Sequence, residues 1–398
     1  MKILLLCNKP PIPSIDGGCI AMKASANAIL SKGNELKILA IETKKHPFLI
    51  SDKEKHFLQS TNLETVFVDT EINLLKAFSN LFSNKSYNVS RFWSEDFNTK
   101  LISILKAENF DIIQLESIYV APYIETIRTF SKAKIVFRAH NLEHEIWIKS
   151  AVNEKNPVKA AYIKLLAERL KKYELSVLSA VDAVAAISNE DARKFNKLKQ
   201  IFDIRTIPVN IDISSNDINK NKEISLFFIG ALDWHPNIEG LNWFLLKVWP
   251  KINELMPDLK FYIAGKKMPV KMKNKVIPGV FFEGEVSNSQ EFMTSKKIMI
   301  VPLFSGSGVR IKILEAMACA KTVIATTQGA EGIECTKNEN ILIANTVDEF
   351  VNEIKKCVSN PEYCTQTGLN AFKFVESNFS TSSIADKYST LYQELIKK

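Results

Sequence analysis

The sequence predicts an α/β protein built from two Rossmann-like, doubly wound domains. Apolar strand-like segments alternate with amphipathic helical segments along most of the chain, which is the pattern of parallel sheets covered by helices. The chain has 398 residues, 46% of them hydrophobic, which is enough for two sizeable cores. A polar stretch, SSNDINKNKE, indicates a linker between them. We therefore expect domains at 1–215 and 216–380, followed by an amphipathic helix over 381–398.

Charge and hydropathy narrow the class of protein. The net charge of +8 is compatible with a nucleic acid, an anionic membrane surface or an anionic substrate. No zinc-finger, aromatic RNP or basic-zipper pattern accompanies the charge, so nucleic-acid binding is not expected. The first apolar run, ILLLC, is too short for a secretory segment, and no run approaches 18 apolar residues. We expect a cytoplasmic protein.

The first predicted strand, KILLLC, leads into the loop NKPPIPSIDGG and a helix that starts near Ile20. The turn lacks the GxGxxG pattern, which argues against a dehydrogenase-type dinucleotide site. Gly17 and Gly18 are expected just ahead of the helix, with Asp16 beside them. Their bare backbone amides could approach a phosphate, although a simple tight turn explains a Gly-Gly pair equally well.

The first domain continues with ELKILAIE, LETVFVD, a helix over 94–107, DIIQLE, a helix near 121–130 and AKIVFRAHN. In such a sheet, ligands bind at the carboxyl ends of the strands. His140 lies at such an end, with Glu143 close behind; a structural hydrogen bond is the alternative role for this histidine. His144 follows His140 at the spacing of a metal pair, but no third ligand is evident, and no metal site is predicted. A long helix over 157–178 and the strand VDAVAAIS follow, with Ser188 as the expected N-cap of the next helix.

The second domain opens with ISLFFIG, which ends at Gly230, and a helix from about 237 to 255. Its most informative stretch is the strand IMIVPL, the loop FSGSG and the helix VRIKILEAMACA. A strand, a glycine loop and a helix in this order build an anion site, because helix-start amides point outward and carry partial positive charge. Gly306 and Gly308 allow close approach of the backbone. Arg310 is expected in the first helical turn.

Lys312 and Glu315 follow on the same helix, three residues apart and therefore on one face. An ordinary surface ion pair is one interpretation. The other is a nucleotide site, because a carboxylate accepts hydrogen bonds only and its two oxygens suit the neighbouring hydroxyls of a ribose.

The segments GSGVRIKILEAMA, TTQGAEGI and G-x-L-x-W-x-P-N, the last starting at Gly230, resemble the donor-site signature of retaining family-4-type glycosyltransferases of the GT-B architecture. The resemblance implies two Rossmann-like domains that face a cleft, with the C-terminal helix crossing back to the first domain. That family has a Glu, seven residues and a second Glu. The second falls on Glu315, which would contact the ribose, whereas Ser307 stands at the position of the first, which usually contacts the donor sugar.

The resemblance also implies roles for residues elsewhere in the chain. Asp233, Trp234, His235 and Asn237 stand where many members have a basic pair for the diphosphate, so Arg310 and Lys312 are the expected substitutes. Backbone groups at Gly265 and from Gly284 to Val286 would receive the nucleobase. The residues expected to act on the donor sugar and its leaving group are His140, Ser307, Lys312 and Glu315. The residues expected to hold the nucleotide and its phosphates are Gly17, Gly18, Gly230, Gly284, Val286, Gly306, Gly308, Val309 and Arg310.

The implied function is transfer of a hexosyl unit from a nucleotide diphosphate sugar to an acceptor hydroxyl with retention of configuration, in cell-surface glycan or polysaccharide biosynthesis. The expected enzyme needs no metal and no cofactor other than its donor substrate. Its expected partners are the donor and a glycan or lipid-linked acceptor, and the positive charge is compatible with peripheral contact at the inner face of an anionic membrane. The alternatives are a catalytically silent nucleotide-sugar-binding subunit and a GT-B sugar epimerase.

Overall fold

The computed structural model describes residues 1–49, 54–71, 73, 80, 83, 86–198, 203–211, 213, 224–306 and 308–398. It divides into two compact units: Met1–Asn210 together with Ile384–Lys398, and Ile211–Ser383. The predicted boundary at 215 lies outside the described residues. The second boundary follows Ser383 instead of residue 380, because Ile384 is the first side chain of the last helix that packs into the core of the first unit.

Seven strands form the sheet of the first unit among the described residues, in the order β3-β2-β1-β4-β5-β6-β7, and all neighbours pair in parallel. Most strand positions are apolar or small, as a sheet buried on both faces requires, and the buried polar exceptions include Gln114 of β4 and Arg138 of β5. The strands are β1 Lys2–Cys7, β2 Glu35–Glu42, β3 Glu64–Phe67, β4 Ile112–Leu115, β5 Lys134–Ala139, β6 Ala183–Ala186 and β7 Ile204–Thr206.

The helices of the first unit cover both faces of this sheet. The predicted helices over 94–107 and 157–178 are confirmed within two residues, and Ser188 accepts a hydrogen bond from the amide of Asp191 as an N-cap should. A 3₁₀ turn, Ile118–Tyr123, precedes α5. The helices are α1 Gly17–Leu30, α2 Lys55–Thr61, α3 Tyr87–Ser90, α4 Glu95–Ala107, α5 Ile124–Phe130, α6 Glu143–Asn153, α7 Pro157–Ala180 and α8 Asn189–Leu198.

The second unit has a parallel sheet in the order β10-β9-β8-β11-β12-β13, as far as its described residues extend. Its strands are β8 Leu226–Ile229, β9 Phe261–Ala264, β10 Val280–Gly284, β11 Ile298–Val301, β12 Thr322–Ala325 and β13 Leu342–Ile343. Its helices are α9 His235–Trp243, α10 Trp249–Leu255, α11 Val270–Lys273, α12 Ser289–Thr294, α13 Ile311–Ala318, α14 Val347–Ser359 and α15 Pro361–Phe379.

The helix predicted over 237–255 is interrupted by a π-helical turn, Phe244–Val248, between α9 and α10. Pro250 explains the interruption, because proline has no amide hydrogen and its ring clashes with the carbonyl one turn earlier. The last helix, α16 Thr381–Lys397, places its apolar face, including Tyr388 and Tyr392, in the core of the first unit. No helix in the described part of the chain combines the length and apolarity needed to cross a bilayer.

Both strand orders reverse direction once, between β1 and β4 in the first unit and between β8 and β11 in the second. At such a reversal the loops after the two central strands diverge to opposite faces of the sheet. The crevice they leave at the carboxyl ends is the usual ligand site of open α/β sheets. The fold therefore marks one candidate site in each unit.

Candidate active site

In the second unit, the loops after β8 and β11 meet at the reversal point. Trp234 from the first loop lies against Gly306 of the second, where a Cβ on the glycine would come within 2.8 Å of the indole. Gly240 of α9 similarly lies against the Pro302 carbonyl, which a Cβ would approach to 2.0 Å. The absence of side chains at both glycines lets the Trp234 ring lie against the backbone at Gly306 and lets α9 lie against the backbone at Pro302.

The loop after β11 has the conformation that its glycines predict. Gly306 and Gly308 have φ of +101° and +87°, a region that other residues reach only with strain. Ser305 Oγ donates to Glu239 at 2.8 Å, and Gln328 Nε2 donates to the Gly306 carbonyl at 2.9 Å, so both sides of the loop are tied to neighbouring elements. Ser307, the predicted sugar contact, lies outside the described residues.

Arg310 occupies the N-cap position of α13, not its first turn as expected, because the helix begins at Ile311. Its guanidinium donates back to the Gly308 carbonyl and stacks over Trp234 at 5.3 Å from the ring centre. Burial lowers the pKa of Arg310 from its ordinary value, and Glu331 partly opposes this. The residue thus carries a partly desolvated positive charge at a helix start.

Lys312 and Glu315 share one face of α13, as predicted. Lys312 Nζ donates to Glu315 Oε2 at 2.6 Å and lies 3.3 Å from Ser289 Oγ of α12. Both side chains remain partly exposed, so the pair has the geometry of a surface ion pair and also leaves carboxylate lone pairs accessible to a ligand.

The remaining predicted positions of the second unit lie at neighbouring strand ends. Gly230 packs against Asn237, and Gly265 lies so close to the Gly230 carbonyl that a Cβ would approach it to 1.9 Å. Gly284 has φ of +73° and open space around it. Close packing between strand ends therefore explains why a glycine stands at position 230. Gly284, in contrast, has open space beside its backbone. Val286 and Val309 are partly buried against the apolar core beneath this edge.

In the first unit, the loop after β1 ends in a charged cluster at the start of α1. Gly17 and Gly18 are the first two residues of this helix, and do not precede it as expected, because Asp16 supplies the N-cap by accepting from the Cys19 amide at 3.0 Å. Their amides remain among the outward-pointing ones of the first turn. Gly18 also leaves room for Lys9, whose Nζ a Cβ would approach to 2.6 Å.

Asp16 is the centre of this cluster. Lys9 Nζ donates to its carboxylate at 2.8 Å, and His46 Nε2 lies 3.0 Å from it. Partial burial alone would raise the pKa of Asp16, but the hydrogen bonds from Lys9, the Cys19 amide and His46 hold it well below its usual range. One ligand atom each of Asp16, Cys19 and His46 lie within 4.8 Å of one another, as a metal site would need. The Lys9 ammonium on the same carboxylate opposes a cation there, and burial raises the pKa of the Cys19 thiol away from the metal-binding thiolate.

The histidine cluster after β5 separates into two independent pairs. His140 Nε2 lies 2.9 Å from Glu116 Oε2, and the His140 side chain is 17% exposed. His144 is buried and hydrogen bonded through Nδ1 to Glu174, which also accepts from the amides that open α6. The His140–His144 spacing therefore reflects two carboxylate partners. Glu143 accepts from Tyr119 at 3.0 Å, and burial raises its pKa.

The sites also contain residues that were not predicted as site residues, among them Lys9, His46, Glu116 and Trp234. Glu116 directly follows β4 at the reversal point, so the criterion that selected His140, a polar residue at a strand end, would have selected it too. Trp234 follows β8 in the same way, but an exposed tryptophan has no sequence signal that distinguishes a ligand platform from a packing residue. Its contact with the loop after β11 becomes visible only in three dimensions.

Two parallel α/β units of the Rossmann type, each with a site at its reversal point, and a last helix that returns to the first unit define the GT-B fold. Residues 223–360, which carry the glycine loop and α13, match the family described as glycosyl transferases group 1. This match and the fold support a glycosyltransferase of the GT-B type.

Individual proteins are similar to this chain in sequence or in fold. A protein from the cps region of Klebsiella pneumoniae, described as uncharacterized, is 24% identical, over 99% of this chain and 99% of its own. An uncharacterized glycosyltransferase of Methanocaldococcus jannaschii is 22% identical, over 77% of this chain and 79% of its own. Among solved structures, HepE of Anabaena in complex with UDP superposes with a TM-score of 0.65 at 13% identity, over 99% of this chain and 100% of that one. Sucrose-phosphate synthase of Thermosynechococcus elongatus gives 0.66 at 16% identity, over 100% and 99%. The predicted fold class is confirmed.

Proposed function

We propose that this protein is a retaining, family-4-type hexosyltransferase that uses a nucleotide diphosphate sugar and needs no metal ion. The observation that carries the proposal is the loop and helix from Gly306 to Glu315, which place a cation, helix-start amides and a partly exposed carboxylate at the reversal point of the second sheet. A nucleotide diphosphate needs these groups in this order, since its phosphates are anionic and its ribose offers hydroxyl donors.

Each group then has a proposed role in the reaction. Glu315 accepts hydrogen bonds from the ribose hydroxyls. The amides from Gly306 to Val309, with Arg310 and Lys312, stabilise the charge that develops on the departing diphosphate, which is the task a metal ion performs in other transferases. In the first unit, His140 is proposed to contact the transferred sugar, and the amides of Gly17 and Gly18 to contact the phosphates.

Two similarities support a nucleotide donor and a glycan product. Structures of Anabaena HepE contain UDP and UDP-glucose, and that chain has the same fold. The Klebsiella relative is encoded in a cps region, so we propose that this chain also acts in capsule-type or other cell-surface polysaccharide biosynthesis.

We further propose that the acceptor is lipid-linked and that the protein works at an anionic bilayer surface. The α6–α7 hairpin supports this, because it exposes Ile148, Val152 and Val158 to 40%, 79% and 79%. Exposed aliphatic side chains beside lysines are typical of surfaces that rest in the headgroup region of anionic membranes. The exposed lysines of the hairpin tip are Lys149, Lys155, Lys159 and Lys164.

The first experiment is a binding and turnover screen of the purified protein against UDP-, GDP-, ADP- and CMP-sugars, with and without magnesium. We expect one donor to bind and to be slowly hydrolysed, with no requirement for magnesium. In Arg310→Ala/Lys312→Ala the turnover should fall by about 10²-fold or more, as for loss of groups that stabilise a leaving group. Binding without transfer or hydrolysis would favour the silent binding subunit, and no binding at all would refute the donor site.

A further inference from the structure

A line of buried polar groups runs across one face of the first sheet, beneath α16. Gln114 and Glu116 are each 0% exposed, and Tyr392 of α16 is equally buried. Tyr392 Oη lies 2.6 Å from Gln114 Oε1, Gln114 Nε2 lies 2.6 Å from Glu116 Oε1, and Glu116 Oε2 lies 2.9 Å from His140 Nε2. The line therefore joins the last helix of the chain to the predicted sugar-contacting histidine.

The direction of each hydrogen bond follows from the chemistry of the groups. When the Glu116 carboxylate carries no proton it accepts both hydrogen bonds, so that Gln114 Nε2 and His140 Nε2 donate to it. This turns the Gln114 amide oxygen toward Tyr392, whose hydroxyl donates to it. The neutral His140 ring must then carry its hydrogen on Nε2, which leaves Nδ1 as a hydrogen-bond acceptor.

This network lies where an apolar core would otherwise continue. Neighbouring residues on the same face, including Ile112 and Val136, belong to the apolar cluster that α16 covers. Arg138 is also buried on this face, but its guanidinium donates to the carbonyls at the ends of β6 and β7. The described residues place no lysine or arginine in ion-pair contact with Glu116. A buried carboxylate held by an amide and an imidazole stabilises the fold poorly compared with well-packed aliphatic groups, so its value lies in fixing orientation.

We propose that Glu116 is a positioning residue that holds His140 in the Nε2–H tautomer, and that α16 supplies Tyr392 to hold Glu116 in place through Gln114. The inference rests on the proposed function in one respect, namely that His140 Nδ1 accepts a hydrogen bond from a hydroxyl of the transferred sugar. The C-terminal helix thereby becomes part of the support of the site.

The tautomer can be measured without turnover. The chain has five histidines, so long-range ¹H–¹⁵N correlation spectra of ¹⁵N-histidine-labelled protein should resolve His140, assigned by the signal missing in His140→Gln. We expect the Nε2–H tautomer at neutral ring charge. In Glu116→Gln the new amide oxygen should accept from Gln114 Nε2, and the new NH₂ group should then donate to His140 Nε2. The His140 ring should therefore change to the Nδ1–H tautomer. Adding Tyr392→Phe frees Gln114 to turn, so the double variant should show a mixture.

Kinetics of donor turnover provide the second measurement. Glu116→Gln should lower kcat by about 10²-fold, the loss expected when a group is misplaced in the site, with a donor Kd changed less than threefold. Tyr392→Phe should lower kcat by about fivefold, which corresponds to one neutral hydrogen bond. Tyr123→Phe is the matched control, because Tyr123 is a fully buried tyrosine of the same unit whose hydroxyl donates to the Phe92 carbonyl at 2.9 Å, in the cluster on the other side of the sheet. It should leave kcat and the His140 tautomer unchanged.

The outcomes separate this inference from the proposed function. An Nδ1–H tautomer in the unchanged protein, or the same tautomer in Glu116→Gln, refutes the positioning role whether or not the protein has activity. A tautomer that changes as expected in a protein without donor turnover supports the positioning role and counts against the transferase. Equal losses of kcat in Tyr123→Phe and Tyr392→Phe would show that Tyr392 acts only through packing.

Discussion

The Arg310 guanidinium lies 5.3 Å above the Trp234 ring and joins the loops after β8 and β11. Stacking on an aromatic face holds the cation in one orientation while its charge remains available to an anion. The ring in turn rests on Gly306, so the glycine, the indole and the guanidinium form one unit of packing. A change at the glycine should therefore reach the cation.

Gly306→Ala tests this connection. The new methyl group would overlap the Trp234 ring, which must move and carry Arg310 with it. We expect donor affinity to fall by about tenfold, the size of a desolvated cation–π contact, together with about 1 kcal/mol of backbone strain. Gly33→Ala is the control, because Gly33 has φ of +71° and open space around it, in the first unit. Gly33→Ala should lose the same amount of unfolding free energy from backbone strain, measured in urea, and should retain its donor affinity. Equal donor affinity in the two variants would show that Gly306 does not support the donor site.

Glu315→Gln should weaken nucleotide binding without unfolding the protein. A neutral amide keeps the shape but loses the charge-assisted hydrogen bonds to the ribose, which corresponds to an affinity loss of about 10- to 100-fold. Inorganic pyrophosphate has no ribose, so its affinity for the variant should not fall. Calorimetry with both ligands separates the contribution of the ribose from that of the phosphates. An unchanged affinity for the nucleotide would remove Glu315 from the ribose site.

The hairpin surface predicts binding to vesicles of anionic lipid. Replacing Ile148, Val152 and Val158 by serine should lower partitioning onto phosphatidylglycerol vesicles at least tenfold. Burial of each of these apolar side chains in the bilayer contributes about 1 kcal/mol or more to the free energy of binding. Donor affinity should not change. Val276→Ser controls for general surface polarity, since Val276 is 97% exposed in the second unit. Partitioning is measured by sedimentation with neutral and anionic vesicles. Partitioning that is unchanged by all four substitutions would contradict the assignment of the hairpin as a membrane-binding surface.

Lys321 predicts a pH dependence of stability. This lysine is 3% exposed, donates to the Thr294 carbonyl at 2.9 Å, and burial lowers its pKa from 10.5 to about 8. Between these two values the unfolded chain binds the proton and the folded chain does not. The free energy of unfolding should therefore rise with pH from 8 to 10.5, by up to about 3 kcal/mol from this group.

Lys321→Met removes this contribution. Urea unfolding at pH 7, 8, 9 and 10 should show a difference between the original protein and the variant that grows with pH in favour of the original. The difference isolates Lys321 from the cysteines and tyrosines that titrate in the same range. In Lys271→Met, at an exposed position, the free energy of unfolding should depend on pH as it does in the original protein. The same pH dependence in Lys321→Met and the original protein would show that the Lys321 amine is not buried in solution.

Local pattern predicted the strands and helices around the candidate site, but it contained no information on the order of the strands in each sheet. The run IMIVPL, the glycines of FSGSG and the spacing of Lys312 and Glu315 are short-range features, and each appears in the structure where it was expected. Arg310 lies one position before the helical turn in which it was expected. Its carbonyl accepts from the Ile313 amide, so it is the N-cap and the helix begins at Ile311. The start of α1 at Gly17 was missed because Asp16 caps the helix ahead of two poor helix formers.

The partners of His140 could not be predicted, since they depend on distant pairings. Glu116 is 24 residues away from His140, and Tyr392 is 278 residues away from Gln114. Their meeting requires the register of β4 beside β5 and the return of α16. Neither is encoded in a local period, so a sequence pattern can indicate that a strand end is polar but not which side chains share a proton.

The return of α16 also affects the order in which the protein can mature. Residues 211–383 leave the ribosome before Ile384–Lys398, whose side chains complete the core of the first unit. Until α16 packs, the β4–β5 face of the first unit lacks the cover of Tyr388 and Tyr392. The face of the sheet from which His140 follows β5 therefore reaches its native packing only after residues 211–383 have been synthesised.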